Sequence, residues 1–207
     1  MSAWSKDVAA HLTSQCEVMA RLIDAHQPPH MTAHPPEKYF DVLAASIVGQ
    51  QLSTKAAATI EARLRAALGE LTPETVLATD PASLRAVGLS ESKSRYLGYL
   101  ARAFSSGDIV PQVIQNAPDD EIIETLTQVK GIGRWTAEMF LMFGLARPDV
   151  WSMGDLGLRR GLEYFFGSAD PELPERWAPY RTYAAWYVWE EVDQGYPSLT
   201  TVPRPSR

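Results

Sequence analysis

The segment Leu126-Thr127-Gln128-Val129-Lys130-Gly131-Ile132-Gly133-Arg134-Trp135-Thr136-Ala137 leaves its backbone few choices. The spacing predicts a helix that ends near Val129 and a new helix that begins at once at Arg134. Two glycines in three residues supply the tight turn, because glycine adopts backbone angles that a side chain forbids. The turn amides and the start of the second helix form an anion site, and the helix dipole there favours a phosphate. Lys130 and Arg134 flank it. Fixed donors with few side chains suit a sequence-independent grip on a DNA backbone. The same two glycines also read as a plain interhelical connection, since glycines commonly end helices. The segment alone leaves both readings open.

The rest of the chain is helical in pattern too. Apolar residues recur at helical spacing over 8–25 (Val8, Leu12, Val18, Met19, Leu22, Ile23), and a proline-rich linker then runs from Pro28 to Pro36. Helices are expected over 39–50 and 54–68. Two short ones are marked at Thr72-Pro73-Glu74 and Asp80-Pro81-Ala82, where a capping residue precedes a proline at the first helical position. Further helices are expected over 92–104, 120–129, 134–146, 155–165 and 177–192. Alternating strand patterns and fixed-period repeats are absent. The expected fold class is all-α.

Composition removes several functional classes. The chain has 207 residues, 45% apolar and 21% charged, enough for one large folded domain or two small ones. Its longest apolar run, eight residues from Met139 to Ala146, is far short of a membrane helix. The start, Met1-Ser2-Ala3-Trp4-Ser5-Lys6-Asp7, has no signal-peptide pattern, so a soluble, cytoplasmic protein is expected. Cys16 is the single cysteine, which excludes a disulfide framework and a four-cysteine cluster. His11, His26, His30 and His34 lack metal-ligand spacing and read as solvent or linker residues, so no catalytic metal is expected. A net charge of −6 argues against holding nucleic acid by bulk charge, but leaves room for a local patch.

A second element lies about twenty residues beyond the turn: Trp151-Ser152-Met153-Gly154-Asp155-Leu156-Gly157-Leu158-Arg159-Arg160. Asp155 stands where a helix begins, with Leu158, Leu162 and Phe165 behind it at helical spacing. Free amides and the dipole at such an end favour a negative charge. Alone, Asp155 reads first as a structural cap, the commonest role for such a residue. Together with the turn, however, the chain resembles the helix-hairpin-helix DNA glycosylases, and within them the DNA-3-methyladenine glycosylase II type. The resemblance is carried by Ser46-Ile47-Val48-Gly49-Gln50-Gln51-Leu52-Ser53 with Lys55-Ala56-Ala57, Val87-Gly88-Leu89-Ser90 with Lys93, the two elements above, and Arg176-Trp177 with Pro179, Arg181, Tyr183-Ala184 and Trp189. These run in family order from about residue 40 to 190.

The resemblance implies two helical subdomains flanking an active cleft. One spans 38–147 with the hairpin, and the other joins 1–37 to 148–207 and carries the catalytic aspartate. It also implies that the β-rich N-terminal domain of larger members is missing. The activity implied is excision of alkylated bases from damaged double-stranded DNA by hydrolysis of the N-glycosidic bond. Asp155 matches the catalytic aspartate. Lys130, Gly131, Ile132, Gly133 and Arg134 would hold the DNA backbone, helped in relatives by a monovalent cation at the hairpin; no other cofactor is implied. Trp135, Trp189, Met139 and Leu156 match base-pocket positions, and Met139 and Leu156 stand where relatives can have aromatics. Family members that also cut the strand carry a lysine where this chain has Trp135, so a monofunctional enzyme is expected. Core packing with Met139, Met142 and Phe143 is the other reading of Trp135. The helix-invading wedge would come from the Gln50-to-Ser53 turn, with Gln51 and Leu52 as candidates. A monomer is expected. The alternatives are a glycosylase for an oxidised or deaminated base and a non-catalytic hairpin DNA-binding protein.

Overall fold

The computed structural model describes residues 6–52 and 54–195, with Thr54 described in its backbone only. The expected wedge turn therefore loses its last residue, Ser53, and the N-terminal residues 1–5 that bear on a signal peptide also lie outside the described residues. In chain order the α-helices are α1 (Lys6–Gln15), α2 (Glu17–Ala25), α3 (Tyr39–Gly49), α4 (Thr54–Leu68), α5 (Pro73–Ala78), α6 (Pro81–Ala86), α7 (Glu91–Ser106), α8 (Pro111–Asn116), α9 (Asp119–Thr127), α10 (Arg134–Met139), α11 (Leu156–Phe166) and α12 (Arg181–Asp193). No strand occurs among the described residues, and the fold class is all-α. None of these helices is long and apolar enough to cross a membrane.

The chain forms two compact units. One is continuous, His34 to Gly144, and the other joins the segment up to Ala33 with the segment from Leu145 on. In the continuous unit, α7 is the centre: α3, α5 and α6 all pack on it. Leu97, Leu100 and Ala101 of α7 are buried together with Leu43 and Ile47 of α3. In the other unit α12 takes the central place, against α2 and α11. Leu22, Leu158, Leu162, Tyr183 and Tyr187 form its core. Each buried leucine or isoleucine among these contributes about 1.5–3 kcal/mol, so the two cores set the positions of everything else.

The caps stand where local chemistry puts them. Thr75 N donates to Thr72 Oγ1 (3.3 Å) and Ala82 N donates to Asp80 Oδ2 (3.0 Å), each just ahead of a proline. Four expectations need correction. The helix over 8–25 is broken at Cys16, whose backbone is extended (φ −166, ψ 155). Its halves seat on different partners, α1 on the 3₁₀ turn Leu173–Trp177 and α2 on α12, which one straight rod does not reach. The helix over 134–146 changes at Phe140 to a π-turn, Phe140–Gly144. A Cβ on Gly144 would lie 2.5 Å from the Phe140 ring, and that ring packs edge-on to Tyr39. The helix over 177–192 is interrupted at Pro179 and restarts at Arg181, since proline has no amide to offer and disfavours helical angles before it. The side chain of His26, read as a solvent or linker residue, is buried, with Nε2 2.6 Å from Oε2 of Glu191 on α12. The short helix α8 has no counterpart in the sequence reading.

Candidate functional site

Asp155 is the N-cap of α11, and its Oδ1 accepts the amide of Leu158 (2.9 Å). The same oxygen accepts Nε1 of Trp189 on α12 (2.9 Å). Two donors on one oxygen fix the orientation of the carboxylate. The bond to Trp189 requires α12 to pass close to α11, and two glycines on one face of α11 make that possible. A Cβ on Gly157 would stand 3.1 Å from both Asp155 Oδ1 and Trp189 Cδ1. A Cβ on Gly161, one turn on, would stand 2.3 Å from Val188 Cγ1.

The approach to Asp155 is fixed by a buried threonine that the sequence reading did not single out. Thr182 Oγ1 donates to Arg147 O (2.7 Å) and accepts from Val150 N (2.9 Å), while Thr182 N donates to Pro148 O (3.0 Å). Its neighbour Arg181 forks onto Asp149, with Nε to Oδ1 at 2.8 Å and Nη2 to Oδ2 at 3.0 Å. These bonds to Asp149 push the Arg181 pKa above the ordinary arginine value. The strand of chain leading into Asp155 is thus tied to α12 at 147–150, the helix that also supplies Trp189. Leu156, the next residue after Asp155, is 56% exposed.

The hairpin belongs to the continuous unit. Gly131 adopts φ +105, and a Cβ there would stand 2.2 Å from Tyr96 Cγ on α7, so backbone and packing both exclude a side chain. Gly133 differs: its φ is −94, and a Cβ would meet nothing within 4 Å. Ile132 is buried, and its amide donates to Val129 O (2.9 Å). Of the three amides expected to face a phosphate, that one is engaged inside the turn, and the expectation narrows to Gly131 and Gly133. Lys130 is exposed, its Nζ 5.9 Å from the centre of the Tyr99 ring. Arg134 is exposed and donates Nε to Glu138 Oε1 (2.8 Å). Trp135 remains 37% exposed although Met139 and Met142 beside it are buried, so core packing alone does not account for it.

The candidate wedge residues are both exposed, and Gln51 has a left-handed backbone (φ +58). Gln50 reaches back to the hairpin, donating Nε2 to Gly131 O (3.0 Å) and Thr136 Oγ1 (3.4 Å). Lys93, which follows the Val87-Gly88-Leu89-Ser90 motif, donates Nζ to Val48 O (2.8 Å) and Gln50 O (2.6 Å). The structure thus gathers Asp155, Trp189 and Leu156 in one unit. It gathers Gln51, Leu52, the hairpin, Trp135 and Met139 in the other.

A family described as "HhH-GPD superfamily base excision DNA repair protein" matches residues 44–178. The chain is 36% identical over 196 residues to DNA-3-methyladenine glycosylase 1 of Schizosaccharomyces pombe, covering 87% of this chain and 84% of the relative. A solved S. pombe 3-methyladenine DNA glycosylase in complex with abasic DNA superposes with a TM-score of 0.82 at 35% identity, covering 91% of this chain and 97% of that one. A DNA-3-methyladenine glycosidase from Bacillus halodurans gives a TM-score of 0.79 at 34% identity, with 93% of each chain covered.

Proposed function

Because the chain belongs to the HhH-GPD superfamily of base excision DNA repair proteins, we infer that it is a DNA glycosylase that excises alkylated bases of the 3-methyladenine type. The observation that carries this reading is the Asp155 carboxylate, oriented by Leu158 N and Trp189 Nε1. Backbone binding does not need this carboxylate, and the bond from Trp189 Nε1 on α12 goes beyond what capping α11 requires.

Removing a base requires taking it out of the stack, because the sugar–base bond is shielded within the duplex. The C1′–N bond then breaks with its electron pair leaving on the base, positive charge develops on the sugar, and water forms the new C1′–O bond and gives up a proton. A fixed carboxylate stabilises that charge as it develops and orients the water. Asp155 takes this part, and its donors on Oδ1 hold it there without reorganisation during the reaction. Trp135 carries no amine, so no Schiff base with the sugar forms there, and the reaction stops at an intact abasic site. Trp189 and Leu156 in one unit, and separately Trp135 and Met139 in the other, are read as base-contacting positions, and Gln51 and Leu52 as the wedge.

The hairpin binds the DNA backbone through the Gly131 and Gly133 amides, with Lys130 and Arg134 beside them. A monovalent cation fits this turn chemically. Among the described residues no group of three His, Cys, Asp or Glu side chains is placed to hold a metal, and the ligands would be backbone oxygens of the turn. Such hard oxygen donors suit a hard cation, which would add positive charge beside the phosphate. Replacing sodium with tetramethylammonium at equal ionic strength then weakens DNA binding, whereas unchanged affinity removes the cation from the reading. The working unit is read as a monomer acting in the cytoplasm where the genome lies, and sedimentation of the free protein checks the first point.

The deciding experiment compares wild type with Asp155→Asn on alkylated duplex DNA, scoring base release and strand cleavage separately. Wild type releases methylated bases and leaves strands whole until alkali is added, while Asp155→Asn binds DNA without releasing base. Binding by wild type with no methylated base released overturns the alkylation reading.

A further inference from the structure

The turn that bears Gln51 and Leu52 is held by a small set of bonds, and a single ammonium makes the shortest of them. Lys93 sits in the first turn of α7, its own amide donating to Ser90 Oγ (3.2 Å). From there Nζ reaches the carbonyls of Val48 and Gln50, which close α3 and open the turn. At this helix end carbonyls lack partners within the helix, and a cation is favoured by the dipole. Gln50 in turn bonds to the hairpin through Gly131 O and Thr136 Oγ1. One chain of bonds therefore runs from α7 through the wedge turn to Gly131 of the hairpin, the turn read as the phosphate site. The left-handed backbone of Gln51 costs on the order of 1 kcal/mol or more, so the tip needs such anchoring.

Lys93 also lies beside the hairpin, where a lysine is ordinarily read as a phosphate ligand. Its geometry opposes that. Two of its three donors are engaged by carbonyls, and the side chain is only partly accessible, unlike exposed Lys130 and Arg134. Burial also lowers its pKa from the ordinary lysine value.

We propose that Lys93 is a positioning residue for base extrusion: by tethering Val48 O and Gln50 O it sets the Gln51–Leu52 tip against the hairpin, so that the tip enters the duplex in register with the bound phosphate. This rests on reading Gln51 and Leu52 as the wedge. Extrusion costs a few kcal/mol, and a displacement near 1 Å in such machinery is enough to slow a reaction about a hundredfold.

The test uses the full chain, a duplex with 2-aminopurine beside an alkylated base, and the same lesion left unpaired in a one-nucleotide bulge. Lys93→Met keeps the stem and removes the donors, and Lys93→Arg keeps charge and donors. In Lys93→Met the 2-aminopurine signal and excision from the paired lesion fall about tenfold or more, excision from the bulge falls much less, and Lys93→Arg recovers most of the loss. The slope of log affinity against log salt on undamaged duplex stays at the wild-type value. A slope reduced by about one overturns the proposal in favour of a phosphate contact. An equal fall on both substrates overturns it in favour of a general structural role. If Lys93→Met does not fold, Gln50→Ala cuts the next link of the same chain and must show the same paired-versus-bulge difference. A double variant, Gln51→Ala with Leu52→Ala, separates the premise from the inference. If that variant leaves the paired-to-bulge ratio at wild type, the wedge reading itself fails. If it changes the ratio while Lys93→Met does not, only the role of Lys93 fails.

Discussion

Asp155 and Trp189 are 34 residues apart in sequence and 2.9 Å apart in space. The first could be picked out from its place before an apolar helix. The second could be matched to a pocket aromatic, but nothing near it in sequence says that its indole nitrogen serves the carboxylate. Hydrogen bonds to a charged acceptor contribute roughly 1.5–3 kcal/mol, enough for about a ten- to hundredfold effect if the bond tightens in the transition state. Trp189→Phe, which keeps a ring but loses the donor, is expected to lower kcat by about tenfold or more with DNA affinity little changed. Equal activity in that variant would leave only the ring surface as the contribution of Trp189. Thr182→Val tests the other buried anchor: it strands Val150 N and reduces stability by about 1–3 kcal/mol, read as a lower denaturation midpoint.

At the scale of elements, the hairpin separates the two jobs a glycine can do. Gly131 is demanded by the fold, through its positive φ and the Tyr96 ring. Gly133 is demanded by neither, since its backbone angles are ordinary and space is open around it. Room beside a phosphate-binding turn is what a close approach of DNA requires. Gly131→Ala is therefore expected to destabilise the protein by at least about 1–3 kcal/mol. Gly133→Ala should fold as wild type yet bind duplex DNA several-fold more weakly, measured by fluorescence anisotropy. Equal binding by Gly133→Ala would show that the second glycine serves neither fold nor partner. Sequence spacing located this turn correctly, but not the engagement of the Ile132 amide, because a bond inside a turn leaves no mark in composition.

For the whole molecule, a net charge of −6 sets how DNA is held. An acidic protein repels the duplex everywhere except at a local patch, so affinity rests on a few phosphate contacts. The slope of log affinity against log salt is expected to be shallow, about −2 to −3, since each neutralised phosphate adds roughly −0.9. Neutralising Lys130 should reduce its magnitude by about one. A slope several units steeper would mean that a larger basic face takes part, with exposed Arg159 and Arg160 the first to replace.

What acts over a turn or less of helix was legible in the order of residues. Periodicity, proline and glycine positions and capping side chains placed most helices, the hairpin and the aspartate at the head of α11. Those signals work at short range, through bonds between residues three or four apart. Where they erred, packing over longer distances decided, except at Pro179, whose break is itself a short-range signal. The break at Cys16 follows from two helices with different partners, and the π-turn from Phe140 settling between Gly144 and Tyr39. The Lys93 tether spans more than forty residues, and the Trp189 bond to Asp155 exists because Gly157 and Gly161 admit α12. Each depends on helices brought together by apolar burial that is summed over a whole core. No local pattern encodes which partner that sum will select.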